Sequence, residues 1–204
     1  MVHIVLASGS PSRKKLLESI GLNPEIIVSG VDEELPEITA LPPAEMVIAL
    51  AIMKAQTVAS QLKAREVDAI VIGCDSTFEF EGQSLGKPET VERATQRAKA
   101  IRGKSGLLHT GHCFISTSKN LEYSDLSTSL VHFADMTDEE IDAYVASGEP
   151  LQVAGGFTLD GLSAPFIDRI DGDPSGIIGL SLSTLRRGVI GLGYQWNEIG
   201  MVKK

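Results

Sequence analysis

Cysteine is scarce in this sequence. The 204 residues include two, Cys74 and Cys113, and these do not form a CxxC pair. Because disulfide frameworks and structural zinc sites need several cysteines at characteristic spacings, the sequence argues against both kinds of site. Each cysteine lies within an apolar segment, so we expect Cys74 to be a small buried core residue rather than a nucleophile.

Positive charge is also in short supply. The chain carries 18 Lys and Arg against 27 Asp and Glu, which gives a formal net charge of −9, and it has no long basic run. This balance argues against a general binder of nucleic acid polymers. An acidic protein can still bind a nucleotide where a few cations or a metal ion are concentrated locally.

Long apolar runs and several well-known motifs are missing. No apolar run approaches the ~20 residues that a membrane-spanning helix needs, and the first residues lack the pattern of a signal peptide. We therefore expect a cytoplasmic protein with no membrane partner. The glycine-rich segment at residues 172–180 lacks the GK[ST] ending of a Walker A loop. No GxGxxG follows the first predicted strand, and the absence of GxSxG argues against a serine hydrolase.

The residues that are present describe a globular chain, with 43% hydrophobic and 22% charged residues. Strands are predicted at about 2–7, 25–29, 68–74, 110–117, 126–133, 157–159 and 166–170, with a short hairpin at about 78–82. Helices are predicted at about 11–20, 43–63, 90–102 and 137–148, and a last one from about Ser181. The mixture of βαβ units and hairpins predicts an α/β fold with a mixed central β-sheet flanked by helices. We expect a single domain, residues 1–204, with two closely joined lobes.

The segment from Ile4 to Leu17 predicts a strand, a turn of small residues and a helix that begins with cations. Ser10 suits the N-cap, and Pro11 suits the first helical position, where its missing N–H costs nothing. Free amides at a helix start favour an anion, and Arg13 adds positive charge one turn in. The segment is therefore a candidate phosphate-binding turn, and an ordinary strand-to-helix corner is the alternative.

Two charged residues stand next to apolar segments. Asp75 directly follows the predicted buried strand, where ligands gather in α/β sheets, although an aspartate also suits a turn or a helix cap there. Lys54 falls on the same helix face as apolar residues three, four and seven positions away. A lysine on a buried stripe must reach back to solvent, pair with a carboxylate or meet an anionic ligand.

Three further segments carry candidate ligands. Lys87 lies in a rigid Gly-Lys-Pro turn, although an exposed lysine often serves only solubility. The acidic run of Asp32, Glu33 and Glu34 offers hard oxygen ligands for magnesium, or it is simply a solvated loop. His109 and Thr110 add an imidazole and a hydroxyl beside a strand, where a structural histidine is the alternative interpretation.

Taken together, these segments resemble the Maf family of nucleotide pyrophosphatases, which is related to the inosine-triphosphatase fold. The resemblance covers essentially the whole chain in order. The matching segments are Leu6-Ala7-Ser8-Gly9-Ser10-Pro11-Ser12-Arg13, Asp32-Glu33, Lys54-Ala55, Gly73-Cys74-Asp75-Ser76, Gly86-Lys87-Pro88, Ser105-Gly106, His109-Thr110-Gly111, Ala154-Gly155-Gly156-Phe157, Gly172-Asp173 and Gly179-Leu180-Ser181-Leu182.

The resemblance implies an elongated, two-lobed α/β molecule with a cleft, whose members hydrolyse nucleoside triphosphates to the monophosphate and pyrophosphate with a divalent cation. Members are associated with arrest of cell division and with removal of non-standard or modified nucleotides. The family's catalytic aspartate falls on Asp75, and its acidic residue near the metal falls on Glu33. Its phosphate-binding residues fall on Ser8, Ser10, Arg13, Lys54 and Lys87, to which we add His109 and Thr110 as substrate-binding candidates.

On this hypothesis Mg²⁺ or Mn²⁺ lies between Glu33, Asp75 and the triphosphate. A nucleotide-binding regulator of cell division or septum formation that does not turn its ligand over is the alternative, and a phosphatase that releases single phosphates is a third. The base preference stays open. Asp160 stands where a subgroup acting on thymidine and uridine triphosphates has glutamine and where a subgroup acting on methylated guanosine triphosphate has an acid. Ser76, however, stands where that second subgroup has glutamine. Whether the chain forms a homodimer is also open.

Overall fold

The computed structural model describes residues 2–199, and the statements that follow concern those residues. Its strands are β1 (His3–Leu6), β2 (Glu25–Ile26), β3 (Ala69–Phe80), β4 (Gln83–Leu85), β5 (Ser105–Ser116), β6 (Leu121–Phe133) and β7 (Ile167–Asp171). Its α-helices are α1 (Pro11–Ser19), α2 (Pro36–Thr39), α3 (Pro43–Ala64), α4 (Val91–Ile101), α5 (Asp138–Ala146), α6 (Pro174–Ile178) and α7 (Leu182–Gly191). Among these helices none is long and apolar enough to cross a membrane.

The predicted α/β class with a mixed sheet is confirmed. β1 pairs in parallel with both β2 and β3, whereas β4 pairs antiparallel with β3 and β7 antiparallel with β6. The chain divides into two compact units. The first unit contains residues 2–75, 110–127 and 179–199, and the second unit contains residues 76–109 and 128–178. The expectation of one domain with two joined lobes stays a prediction.

The first unit is built on the parallel strands β1 and β3. Successive residues of a strand point to opposite faces, so alternate apolar residues of these strands enter two separate cores. Ile4 and Ile70 join the core that includes α1 and α7, whereas Val5 and Val71 join the core formed with α3. A sheet covered by helices on both faces is thus built from strand residues that are apolar on both faces, such as residues 69–72.

The second unit has an aromatic core under its antiparallel strands. Phe78 packs edge-to-face against Phe133 and Phe157, with ring centroids 5.7 and 5.2 Å apart. A separate cluster joins α4 and α5 through residues that include Ala94, Ala98 and Ile141. The helix α5 begins with a capping box, in which the side chains of Thr137 and Glu140 each accept a hydrogen bond from the other residue's backbone N–H.

Several predicted boundaries are wrong, and the largest error concerns β3. The prediction ends this strand at Cys74, but it continues to Phe80 because Phe78 and Phe80 pair with β4. The strands β5 and β6 both begin five residues earlier than predicted, and β2 is limited to Glu25–Ile26.

The strand predicted at 157–159 is absent from the described chain. A 3₁₀ turn, Ala154–Gly156, directly precedes these residues, and its Gly155 and Gly156 have φ of 74° and 76°. The short helices α2 and α6 were not predicted, because each is too short to show a helical period.

Gly73 sets the distance between β3 and α3. A Cβ placed on Gly73 would lie 2.8 Å from the Cβ of Ala55 and closer still to the carbonyl oxygen of Ala51. The absence of a side chain at this position therefore lets the two elements approach closely, directly beside Lys54 on α3.

We expect Gly73→Ala to lower the free energy of unfolding by about 2 kcal/mol, because the helix must shift away from the strand to accommodate a methyl group. Chemical denaturation monitored by circular dichroism measures this change. Gly86→Ala is the matched control, since its new Cβ would meet no atom within 4 Å. Equal stability of the two variants would contradict the close-approach explanation.

Candidate functional site

Asp75 lies within β3, at the point where this strand extends past its parallel neighbour. The register aligns Leu6 of β1 with Ile72 of β3, and β1 ends at Leu6. Residues from Gly73 onward therefore run beyond the carboxyl end of β1, where the chain turns through Ser8. The prediction that the strand ends before Asp75 is wrong. The Asp75 carboxylate nevertheless lies beyond the carboxyl end of β1, and α/β proteins bind ligands at such strand ends.

Lys54 reaches Asp75 from the buried face of α3. The predicted helix face is confirmed, since Lys54 is buried together with Val47, Leu50, Ala51 and Val58. Its side chain is 9% exposed, and its Nζ lies 2.6 Å from Asp75 Oδ1. Of the predicted alternatives for Lys54, the structure shows pairing with a carboxylate.

Glu33 is the second carboxylate on the same ammonium group. Its Oε1 lies 2.8 Å from Lys54 Nζ, while about half of its side chain, 51%, stays exposed. The loop that carries Glu33 is shaped by Asp32, whose Oδ1 accepts a hydrogen bond from the backbone N–H of Glu34 at 3.0 Å. The buried ammonium group of Lys54 thus joins two carboxylates of different exposure.

Arg13 is also buried, and its guanidinium contacts the residue that precedes Asp75. Its Nη1 donates to the carbonyl oxygen of Cys74 at 2.8 Å and to the Ser8 hydroxyl at 3.0 Å. Its Nε donates to the carbonyl oxygen of Gly179 at 2.8 Å. The guanidinium therefore links the turn after β1, the residue preceding Asp75 and the segment before α7.

The serine turn has the predicted geometry. Ser10 is the N-cap of α1, with Pro11 at the first helical position, and its side chain accepts from the backbone N–H of Arg13. The Ser8 hydroxyl accepts from the backbone N–H of Ser10 at 3.2 Å. Two groups of side chains thus form one network in the first unit, joined where Cys74 precedes Asp75. Arg13, with Ser8 and Ser10, contacts the Cys74 carbonyl, and Lys54, with Glu33, contacts the Asp75 carboxylate.

Burial raises the pKa of the Asp75 carboxyl above its ordinary value, and the positive charges of Lys54 and Arg13 oppose that rise. A carboxylate with a raised pKa is a stronger base than a free aspartate. Burial also raises the pKa of the adjacent Cys74 thiol to about 11. Cys74 is fully buried, which confirms the expectation of a core residue.

The carboxylates of this network suit a hard divalent cation. Within residues 2–199 no group of three or more His, Cys, Asp or Glu residues is arranged to hold a metal ion. Mg²⁺, however, commonly binds through one or two carboxylates and completes its shell with water and substrate phosphate oxygens. Glu33 and Asp75, whose oxygens already approach one cation, fit that pattern.

The remaining candidates have different surroundings. Lys87 is exposed in the loop after β4, in the second unit. His109 is buried there, with Nδ1 2.9 Å from the Thr128 hydroxyl and Nε2 3.0 Å from Glu79 Oε2. Thr110 is fully buried in the first unit. The substrate-binding roles of all three stay predictions.

Sequence patterns did not reveal two parts of this arrangement. The carbonyl groups of Cys74 and Gly179 accept hydrogen bonds from Arg13. Every residue has a backbone carbonyl, so the sequence does not indicate which of them accept these bonds. Glu79 lies in the segment predicted as a hairpin at about 78–82. Its contact with His109 depends on β3 lying next to β5, which the pattern of one segment does not predict.

The fold and site define a mixed α/β protein with a buried carboxylate–ammonium pair beside a capped helix N-terminus. A family model described as Maf-like protein matches residues 3–190. The chain belongs to the Maf family.

Similar proteins support the same family. A nucleoside triphosphate pyrophosphatase of Streptomyces coelicolor is 55% identical over 197 residues, which cover 97% of this chain and 94% of that protein. A protein of the same name from Cyanothece is 45% identical over 194 residues, covering 95% and 97%. A crystal structure of a nucleoside-triphosphatase / dITP/XTP pyrophosphatase from Mycobacterium abscessus matches 66% of this chain and 74% of that chain. The sequence identity is 14%, and the TM-score is 0.34.

We expect Lys54→Met to raise the pKa of Asp75 further, because Lys54 is the main charge that opposes the effect of burial. Asp75 then binds its proton at a higher pH than in the wild type. Carbon-13 NMR titration of the carboxyl resonances, with Asp75→Asn to assign the signal, measures the shift. Lys14→Met, which removes an exposed lysine paired with Glu18, is the control. An unchanged or lowered Asp75 pKa would refute the electrostatic role of Lys54.

Proposed function

We propose that this protein hydrolyses nucleoside triphosphates to the nucleoside monophosphate and pyrophosphate, at the network around Asp75. Its relatives of 55% and 45% identity carry the name nucleoside triphosphate pyrophosphatase. The observation that carries the proposal is the buried Asp75 carboxylate, held 2.6 Å from Lys54 Nζ beside a capped helix start.

Asp75 is proposed as the general base that takes a proton from the attacking water. The water attacks the α-phosphorus, the bond from that phosphorus to the bridging oxygen breaks, and pyrophosphate leaves. Burial suits Asp75 to this role because it makes the carboxylate more basic than an exposed aspartate. Lys54 keeps the carboxylate ionised and fixes its direction, so that the base is ready when the substrate arrives.

Polyphosphate charge is proposed to be neutralised by residues of several segments. An ammonium group has three N–H donors, so Lys54 can hold both carboxylates and still donate to a phosphate oxygen. The start of α1 at Ser8 and Ser10 offers hydroxyl groups and the positive end of a helix. Arg13 adds its charge, and Lys87, His109 and Thr110 are the proposed further substrate contacts.

A divalent cation, Mg²⁺ or Mn²⁺, is the proposed cofactor. When bound by Glu33 and Asp75 it would neutralise phosphate charge and lower the pKa of water in the site. The two carboxylates differ in exposure, since the Asp75 side chain is 13% exposed and that of Glu33 is 51%. Glu33 therefore has freedom to move from Lys54 to a cation, while Asp75 remains fixed by its strand.

The substrates are proposed to include non-standard or modified nucleoside triphosphates. Asp160 agrees with the acid of the subgroup acting on methylated guanosine triphosphate, but Ser76 does not agree with its glutamine, so a panel of canonical, methylated and deaminated triphosphates is needed to define the preferred base.

The experiment is product analysis with Mg²⁺ on such a panel, for the wild type and for Asp75→Asn. We expect equal amounts of monophosphate and pyrophosphate from the wild type. The variant should lose about 10²-fold or more in kcat, because the amide keeps the shape of the carboxylate but cannot accept the proton.

Folding of the variant is checked by circular dichroism, and Asp142→Asn, which changes an exposed aspartate of α5, serves as the control. Orthophosphate without pyrophosphate would indicate the phosphatase instead. Nucleotide binding without any turnover would indicate the non-catalytic regulator. Near-normal turnover by folded Asp75→Asn would remove Asp75 from the proposed mechanism.

A further inference from the structure

The loop that carries Lys87 is tied down on both sides. Before Lys87, the Gly86 carbonyl oxygen accepts hydrogen bonds from the guanidinium of Arg97 on α4 and from the backbone N–H of Gly155. After it, the backbone N–H of Glu89 donates to the carbonyl oxygen of Leu151 at 3.0 Å. The backbone is therefore held at Gly86, directly before Lys87, and at Glu89, two residues after it, while the Lys87 side chain is exposed.

The loop that carries Lys87 packs against the 3₁₀ turn at Ala154–Gly156. Pro88 is buried, and a Cβ placed on Gly156 would lie 3.1 Å from Pro88 Cγ and 3.6 Å from Arg97 Cδ. Gly156 also has a φ of 76°, which side chains rarely adopt. Two separate sequence segments, Gly86-Lys87-Pro88 and Ala154-Gly155-Gly156-Phe157, thus pack directly on each other, with Arg97 closing the contact.

Arg97 differs from its neighbour on the same helix. Arg93 lies one turn earlier, with its side chain 67% exposed and a long 4.0 Å contact to Glu89. Arg97 is half-buried and donates to a main-chain carbonyl. Partial burial, and secondarily the charge of Arg93, lowers the pKa of Arg97 below its ordinary value. The guanidinium of Arg97 therefore loses part of its hydration where it donates to the Gly86 carbonyl oxygen, which indicates that this hydrogen bond holds the loop.

We propose that Arg97 is a positioning residue that holds the Gly86–Pro88 backbone so that Lys87 is presented to the polyphosphate of the substrate. The inference rests on the proposed role of Lys87 in phosphate binding. A lysine has a long flexible stem, and ordering it on binding costs entropy. A backbone that is already fixed confines this cost to the side chain, so the effect of Arg97 belongs to substrate affinity and not to the chemical step.

The kinetic test compares Arg97→Met with the matched control Arg93→Met. We expect Arg97→Met to raise KM for the triphosphate about fivefold, which is the size of effect that loss of one solvent-accessible hydrogen bond produces, and to leave kcat within about twofold. Arg93→Met should leave both constants unchanged. Arg97→Lys should recover part of the affinity, because one donor can still reach Gly86.

A double variant separates positioning of Lys87 from general stabilisation. Lys87→Met alone should raise KM, and Arg97→Met added to it should raise KM no further. Multiplied losses in the double variant, or an unchanged KM in Arg97→Met, would overturn the inference. An unchanged KM in Lys87→Met would overturn it too, and would in addition remove Lys87 from the proposed function.

Hydrogen–deuterium exchange tests the positioning without relying on activity. The peptide that contains residues 86–89 should exchange faster in Arg97→Met than in the wild type or in Arg93→Met. If the protein releases no pyrophosphate but this exchange increases, the proposed function fails while the positioning of the loop stands. Unchanged exchange in Arg97→Met would contradict the positioning role directly.

Discussion

The contact between Lys54 and Asp75 is the constraint on which the rest of the site depends. Removing a carboxylate from water is costly unless a partner compensates for the lost hydration, and an ammonium group at 2.6 Å is such a partner. Burial and the two nearby cations act on Asp75 in opposite directions, with burial the larger effect. The outcome is a carboxylate that is a stronger base than an exposed aspartate and is still held by a charged partner.

The fold supplies this contact through backbone features more than through side chains. The strand β3 outruns β1 in the parallel register, which leaves Asp75 beyond the turn at Ser8. Gly73 lets α3 approach β3 closely enough for Lys54 to reach the carboxylate. Arg13 then donates a hydrogen bond to the carbonyl oxygen of Cys74, which fixes the backbone directly before Asp75. In the second unit, Gly155 and Gly156 perform a similar task for the loop of Lys87.

The sequence predicted those parts of the site that follow from local rules. The cap at Ser10 and the helix face of Lys54 depend on residues within one or two turns, and both are confirmed. The end of β3 was misplaced because it is decided by pairing with β4. Two of the acceptors of Arg13, the carbonyl groups of Cys74 and Gly179, are likewise distant main-chain groups, so the sequence shows the charge of Arg13 but does not predict its burial. Patterns of one segment thus predict elements, whereas contacts between segments need the folded chain.

The measurement that tests the central claim most directly is a double-mutant cycle on kcat with Lys54→Met, Asp75→Asn and the double variant. Residues that act as a unit in catalysis show strongly non-additive losses. If Lys54 acts on the chemical step only through Asp75, and its phosphate contact contributes to KM, the double variant turns over no more slowly than Asp75→Asn alone. Losses that multiply, as they do for independent sites, would show that the two side chains act separately and would contradict the account.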